Sequence, residues 1–157
     1  MRKRITKQDT RSVVLPDQNW LELENLAEVE LTSEDAAFPI ESALRLDDGP
    51  GWRAAEPGRQ TVRLLFDRPL RVRHVKVVFC EDELARTQEF VLRWSADGGQ
   101  SYREIVRQQY NFSLPDNASE VEEYKVELDG LTALELEIIP DISGGSAHAS
   151  IAQLRLA

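Results

Sequence analysis

The segment from Arg86 to Ser113 restricts the possible folds more than any other part of the chain. Phe90, Leu92 and Trp94 alternate with Glu89, Val91 and Arg93. Successive side chains therefore point to opposite faces, as in a strand with one buried side. Ser95, Ala96, Asp97, Gly98 and Gly99 follow, a group whose glycines supply positive φ and whose Asp caps its own turn where a hairpin reverses. Val106, Gln108, Tyr110 and Phe112 then alternate again. Two long strands joined in this way expose an apolar face, and a second layer must cover it.

The remaining sequence reads as that second layer. Residues 1–19 form an N-terminal arm without sustained period, and 20–157 form the body. Ala27 to Thr32 alternates as the first strand of the body, with Glu28 and Glu30 toward water. Ser33 to Gly58 is a long excursion rich in proline and glycine, within which Pro39 to Leu44 suits one helical turn. Thr61 to Phe66 and Val72 to Phe79 read as strands separated by a turn at Asp67 to Leu70. Tyr124 to Leu128 and Leu134 to Ile138 read as strands around Asp129-Gly130, and Ala149 to Leu156 closes the body. Eight short strands of this kind predict an antiparallel β-sandwich. If successive strands run antiparallel, the long connections at Ser33 to Gly58, Glu81 to Gln88, Ser113 to Ser119 and Pro140 to His148 share one end. Binding residues collect on loops held by a rigid scaffold, so a site is expected there.

The 157 residues suit one core, which at this size needs no covalent staple. Cys80 is the single cysteine, which excludes an internal disulfide and a cysteine metal cluster, and it is expected to be a small packed residue. No apolar run approaches the ~20 residues of a membrane span. Polar residues follow Arg2, Lys3 and Arg4, so the expected location is the cytoplasm. A net charge of −9 repels polyphosphates and argues against nucleic acid as partner. The basic group Arg2, Lys3, Arg4, Lys7 and Arg11 is the local exception, read as a solvated arm.

The pieces S42-A-L-R-L-D-D-G-P-G-W-R-A54, Q60-T-V-R-L-L-F66, E89-F-V-L-R-W-S-A-D-G-G99 and A149-S-I-A-Q-L-R-L156 resemble the galactose-binding-domain-like jelly rolls, which include discoidin or coagulation-factor type C domains and related carbohydrate-binding modules. The resemblance runs from about Ala27 to Ala157. It implies an all-β, eight-stranded jelly roll that binds glycans, phospholipid or protein without catalysis. It also implies a structural calcium held by the first long loop and the last strand, with Asp47 and Asp48 in the matching loop and Gln153 where an acidic ligand is common. Galactoside-binding members use a His, an Arg and an Asn with an aromatic platform. The loop end offers Trp52, Arg53, Arg86, Asn117, Asp141 and His148. Trp52 is either a core ring or such a platform. Arg86 is either a ligand contact or the partner of Glu83 or Glu89.

Arg107, Gln109 and Asn111 make a second constellation, a polar stripe on one face of a strand that fits a groove or a partner edge. Gln108 falls on the supposed inner face, and His74 is expected to be an exposed strand residue. No G-x-S-x-G, H-E-x-x-H or phosphate-binding glycine loop occurs, so no enzyme is expected. The acidic groups Glu81-Asp82-Glu83 and Glu120-Glu122-Glu123 read as solvated surface before they read as a hydrolase pair. The ligand-binding set is therefore Trp52, Arg53, Arg86, Arg107, Gln109, Asn111 and His148, for carbohydrate first. The alternative is an intracellular protein-interaction module, because similar domains occur in a DNA-strand-break repair scaffold and a cell-cycle ubiquitin ligase subunit.

Overall fold

A computed structural model describes residues 19–157. The basic group Arg2, Lys3, Arg4, Lys7 and Arg11 lies outside the described residues. The elements are β1 (Ala27–Leu31), α1 (Glu41–Leu44), β2 (Trp52–Pro57), β3 (Gln60–Cys80), β4 (Arg86–Ser95), β5 (Arg103–Phe112), β6 (Ser119–Ile139), β7 (His148–Ile151) and β8 (Gln153–Leu156). A single 3₁₀ turn, Leu23–Asn25, precedes β1.

All pairings among these strands are antiparallel, and two of them, β3 and β6, are 21 residues long. The first half of β3 pairs with β1 and with the end of β6, which in turn pairs with β4. Beyond Leu70 the same β3 pairs with the start of β6 and with β8. One hydrogen-bonded sheet thus folds over itself into two layers, β1-β3-β6-β4-β5 and β6-β3-β8, with the β2–β7 ribbon alongside. Phe79 and Phe90 meet across the gap with ring centroids 5.0 Å apart, which places the core between the layers.

The expected turns at Asp67 to Leu70 and around Asp129-Gly130 are the places where β3 and β6 cross from one layer to the other without ending. A register shift between Leu65 and Leu70 inserts extra residues into β3, and the shifts from Leu70 to Val72 and from Val72 to His74 each insert one into β6. Each such bulge bends a strand and increases its twist. The inserted residues also exchange faces: Val62, Leu64 and Phe66 are buried before the crossing, and Val75, Val77 and Phe79 after it. Pro69 falls in the unpaired stretch, where a missing N–H costs no ladder bond. Two other expectations change. The 33–58 excursion contains β2 as well as the helical turn, and the closing strand is divided into β7 and β8.

The β4–β5 hairpin turns as expected. Ser95 Oγ donates to Asp97 at 2.6 Å and accepts from Gly99 N at 2.9 Å, and Asp97 also takes Ser101 N and Oγ. Hydrogen bonds from Ser101 and Ser95 hold the Asp97 carboxyl down to about 2. Gln108 is exposed, although it shares the inward side of β5 with the buried Phe112 and lies beside Tyr124 of β6. His74 is mostly covered, edge-on to Trp20 at 5.2 Å. On the outer face of the five-stranded layer, Arg63 and Arg93 share Glu135 at 2.7 and 2.8 Å.

Phe90 is fully buried at the layer contact with Phe79. Phe90→Ala is expected to destabilise the fold by about 3–5 kcal/mol in urea unfolding. A loss below ~1 kcal/mol would mean that the two layers do not depend on this contact.

Candidate functional site

The four long connections converge at one end. Glu81 N donates to Ala118 O at 2.7 Å, Ile142 N to Thr87 O at 2.9 Å, and Asp35 N to Arg53 O at 2.9 Å. Between them runs a groove with two lobes, of ≈ 430 and ≈ 240 Å³. The larger lies in the usual range for small-molecule sites. Both lobes are lined by Arg53, Cys80, Glu81, Asp82, Glu83 and Ser150. Phe38, Pro50 and Ala118 close the first, and Arg86 and His148 the second.

The β2–β7 ribbon decides which side chains reach the groove. Trp52 pairs with Ile151 and Arg53 with Ser150, so alternation sends one pair inward and the other outward. Trp52 is accordingly 1% exposed, with its indole N–H on Ser33 O at 3.2 Å. It is a core ring and cannot serve as the exposed platform. Arg53, Ser150 and His148 share the outward face and are half-buried. His148 Nδ1 donates to Ala54 O at 3.0 Å, since a carbonyl can only accept, leaving Nε2 as an acceptor in the neutral ring. Gly51 (φ +84°) precedes this pair, and a Cβ there would strike the carbonyl oxygen of Ile151.

Arg53 is held by its backbone and left open at its tip. Its N–H donates to Phe38 O at 3.2 Å and its carbonyl accepts from Asp35 N, so the Asp35–Phe38 turn is strapped against it. Its guanidinium makes no hydrogen bond or ion pair among the described residues. The strap brings the half-buried Phe38 ring to the groove beside Arg53.

Arg86 has other work than ligand contact. It is buried, with Nε on Glu81 at 2.5 Å and Nη1 on Pro140 O at 2.5 Å and Gln88 Oε1 at 3.1 Å, over the Phe112 ring at 4.7 Å. One guanidinium thus joins two of the long connections to β4 and β5, and its acid partner is Glu81 instead of Glu83 or Glu89. Burial pushes the Glu81 carboxyl up, but the Arg86 hydrogen bond, the backbone N–H groups of Glu83 and Leu84 and the Arg86 charge together hold it below its ordinary value.

Arg107, Gln109 and Asn111 stand exposed on β5, away from the residues lining the groove. Arg107 pairs with Glu104 at 3.0 Å, Gln109 reaches Glu89 at 3.4 Å, and Asn111 accepts from Thr87 Oγ1 at 2.5 Å. Asn117 and Asp141 cap their own loops through Ser113 and Ser143. Cys80 is exposed at the groove instead of packed, because it follows the inward Phe79 by one position. Burial around its sulfur and the charge of Asp82 push the thiol up, away from the reactive thiolate.

Asp47 and Asp48 are exposed. Calcium takes six to eight oxygen ligands. Nearby carbonyls that could contribute, those of Ala43 and Asp47, already accept from Arg155 at 2.8 and 3.4 Å, and Ser42 Oγ accepts from Gly51 N at 3.0 Å. Among the described residues no group of three metal-ligating side chains occurs. Two surface carboxylates and the neutral amide of Gln153 do not fit a structural calcium.

Solved structures of low sequence identity share this architecture. The family 32 carbohydrate-binding module of NanJ from Clostridium perfringens, in complex with galactose, superposes with a TM-score of 0.62 at 13% identity over 87% of this chain and 96% of that one. CpGH89CBM32-5 from the same organism, in complex with GalNAc-β-1,3-galactose, matches with 0.62 at 17% identity over 88% and 99%. The C-terminal domain of a chitobiase from Bacteroides fragilis matches with 0.63 at 13% over 88% and 97%. The chain has the galactose-binding-domain-like jelly-roll fold. No family model matches the jelly roll's sequence, and no curated protein matches it.

Behind the groove wall the jelly roll buries an unusual carboxyl. Glu120 is 2% exposed, and neither of its oxygens has a hydrogen-bond partner. Burial, then the neighbouring Glu122 carboxylate, push it up to about 8, against the smaller opposing effects of Gln88 and Arg86. Tyr124, which donates to Glu122 at 3.1 Å, and the Arg86–Glu81 pair complete its surroundings. The folded value lies above the ordinary 4.5, so the native state binds the extra proton. Its stabilising effect is fully present below about pH 4.5 and is lost as pH rises through about 8. Thermal melts from about pH 5 to 9 should therefore fall more steeply for the native chain than for Glu120→Gln; parallel profiles would mean that Glu120 is ionised throughout.

Proposed function

We propose that this jelly roll is a non-catalytic carbohydrate-binding module whose groove takes a neutral, galactose-type sugar. The observation that carries the reading is the unbonded Arg53 guanidinium, fixed by its backbone and flanked by Ser150, His148 and the Phe38 ring. A guanidinium offers several donors in a fixed fork, which suits adjacent hydroxyls. The Ser150 hydroxyl and His148 Nε2 can accept, and the Phe38 ring offers an apolar surface for the C–H face of a pyranose. Mostly apolar walls with a few convergent polar groups are the usual composition of such sites.

Galactose and GalNAc-β-1,3-galactose are the ligands of two similar modules, which favours this sugar class. The charge of the groove favours a neutral member of it. Asp82 and Glu83 line both lobes without an ion-pair partner among the described residues, and the molecule carries −9 overall. A uronate would add a like charge beside them, and like charges in a partly desolvated site repel.

Calorimetric titration with galactose and GalNAc-terminated disaccharides is expected to show binding that weakens about tenfold or more in Arg53→Ala, a loss of ~1.4 kcal/mol, while the melting temperature stays near that of the native chain. Phe38→Ala is expected to weaken binding similarly. Galacturonate should bind more weakly than galactose, and Asp82→Asn should narrow the gap. Binding unchanged in Arg53→Ala, or no binding of any glycan on an array, would overturn the assignment.

A further inference from the structure

We infer that Arg155 is a built-in cation, a guanidinium that clamps the 41–51 excursion onto the last strand where a bound metal ion would otherwise be needed. Arg155 lies on β8 between Leu154 and Leu156, which face the core opposite Val77 and Val75. Alternation therefore directs Arg155 to the outer face of the three-stranded layer. An arginine there would ordinarily extend into solvent, yet it is 5% exposed because α1 and the chain after it lie over β8.

Three of its contacts reach backbone carbonyls, two of them in that cover. Nη1 donates to Ala43 O at 2.8 Å and to Leu154 O at 3.0 Å, and Nη2 reaches Asp47 O at 3.4 Å. Ala43 and Asp47 belong to the excursion, and Leu154 to β8, so one side chain joins the two. Carbonyls collected from a loop and a strand around one positive centre are what a hard metal ion assembles. Here the centre is covalent. The Asp47 and Asp48 carboxylates lie close enough to favour the charge from the solvent side, opposing the downward effect of burial on the guanidinium. An arginine keeps its proton in such surroundings, so the clamp has no titration step in the physiological range.

Buried charge is tolerated only when its donors are satisfied, and removal of the guanidinium leaves the Ala43 and Asp47 carbonyls without it. Ile40, Ala43 and Leu44 anchor the helical turn in the core, but the polar ties of the chain after it are few. Ser42 Oγ holds Gly51 N, and Arg45 reaches Glu24 at 3.4 Å on the surface. Because Pro50, Gly51 and Trp52 lead directly into Arg53, the clamp also sets the approach to the groove. It does not depend on what the groove binds, and its test needs no sugar.

The experiment compares the native chain with Arg155→Gln and Arg155→Lys, each with about 1 mM calcium and with chelator. Two readouts are taken, the melting temperature and the rate of tryptic cleavage after Arg45. The native chain is expected to melt identically in both conditions. Arg155→Gln should melt about 5 °C lower or more and be cut about tenfold faster after Arg45, with Arg155→Lys between the two. Calcium that raises the native melting temperature by several degrees would overturn the inference, as would cleavage and melting of Arg155→Gln at native levels. Should Arg155→Gln fail to fold, the lysine variant decides: faster cleavage after Arg45 supports the clamp, and native-rate cleavage sinks it.

Discussion

Pairing between β3 and β6 is the constraint from which the rest of the molecule follows. Each strand is 21 residues long, and each contributes to both layers, so the two layers are covalently one sheet folded over a shared core. Fixing the register of these two strands fixes where β1, β4 and β8 can add, since each of those pairs with one half of β3 or β6. The crossing is achieved by extra residues in β3 and then in β6 instead of a break. A shift by one residue exchanges every inward side chain for an outward one, so the positions of the bulges are specified by the hydrophobic pattern on either side.

The loop end is more polar inside than the rest of the core. Arg86, Gln88 and Glu120 are buried there. Arg86 satisfies itself by spanning Glu81, Gln88 and Pro140 O. Glu120 does not, and it is held neutral by its surroundings instead. Removing one partner from such a cluster costs more than the pair contributed, because a buried polar group is left behind. The groove wall thus rests on a small set of interlocked charges, and the groove floor on the separate β2–β7 ribbon.

Much of the fold was legible because its elements carry period-two patterns bounded by distinctive turn residues. The β4–β5 hairpin is the clearest case, with Ser95, Asp97 and two glycines bonded as the turn requires. Asp67-Arg68-Pro69 reads as a stop in sequence, whereas a bulged strand tolerates all three in its unpaired stretch. β2 was hidden because only Trp52 to Ala54 alternate before Glu56-Pro57-Gly58 intervene. At the site, Arg53 and His148 could be named from their place near loop ends, but the fates of Trp52 and Arg86 depend on partners remote in sequence. Phe38 was missed, although an isolated aromatic beside a proline in a breaker-rich loop is the available signal. Arg155 gave no such signal, since its burial comes from a cover folded back from over a hundred residues earlier.

Placing the recognition residues on a two-stranded ribbon has a consequence for how such a molecule can diverge. Arg53, His148 and Ser150 alternate one for one with Trp52, Ala149 and Ile151. Point changes among the first group alter the chemistry offered to a guest while the interior remains undisturbed. An inserted or deleted codon in either half of the ribbon does the opposite, turning an indole to water and a guanidinium to oil. Lineages built on this scaffold should therefore explore new guests by substitution within the ribbon and by length variation only in the flanking loops.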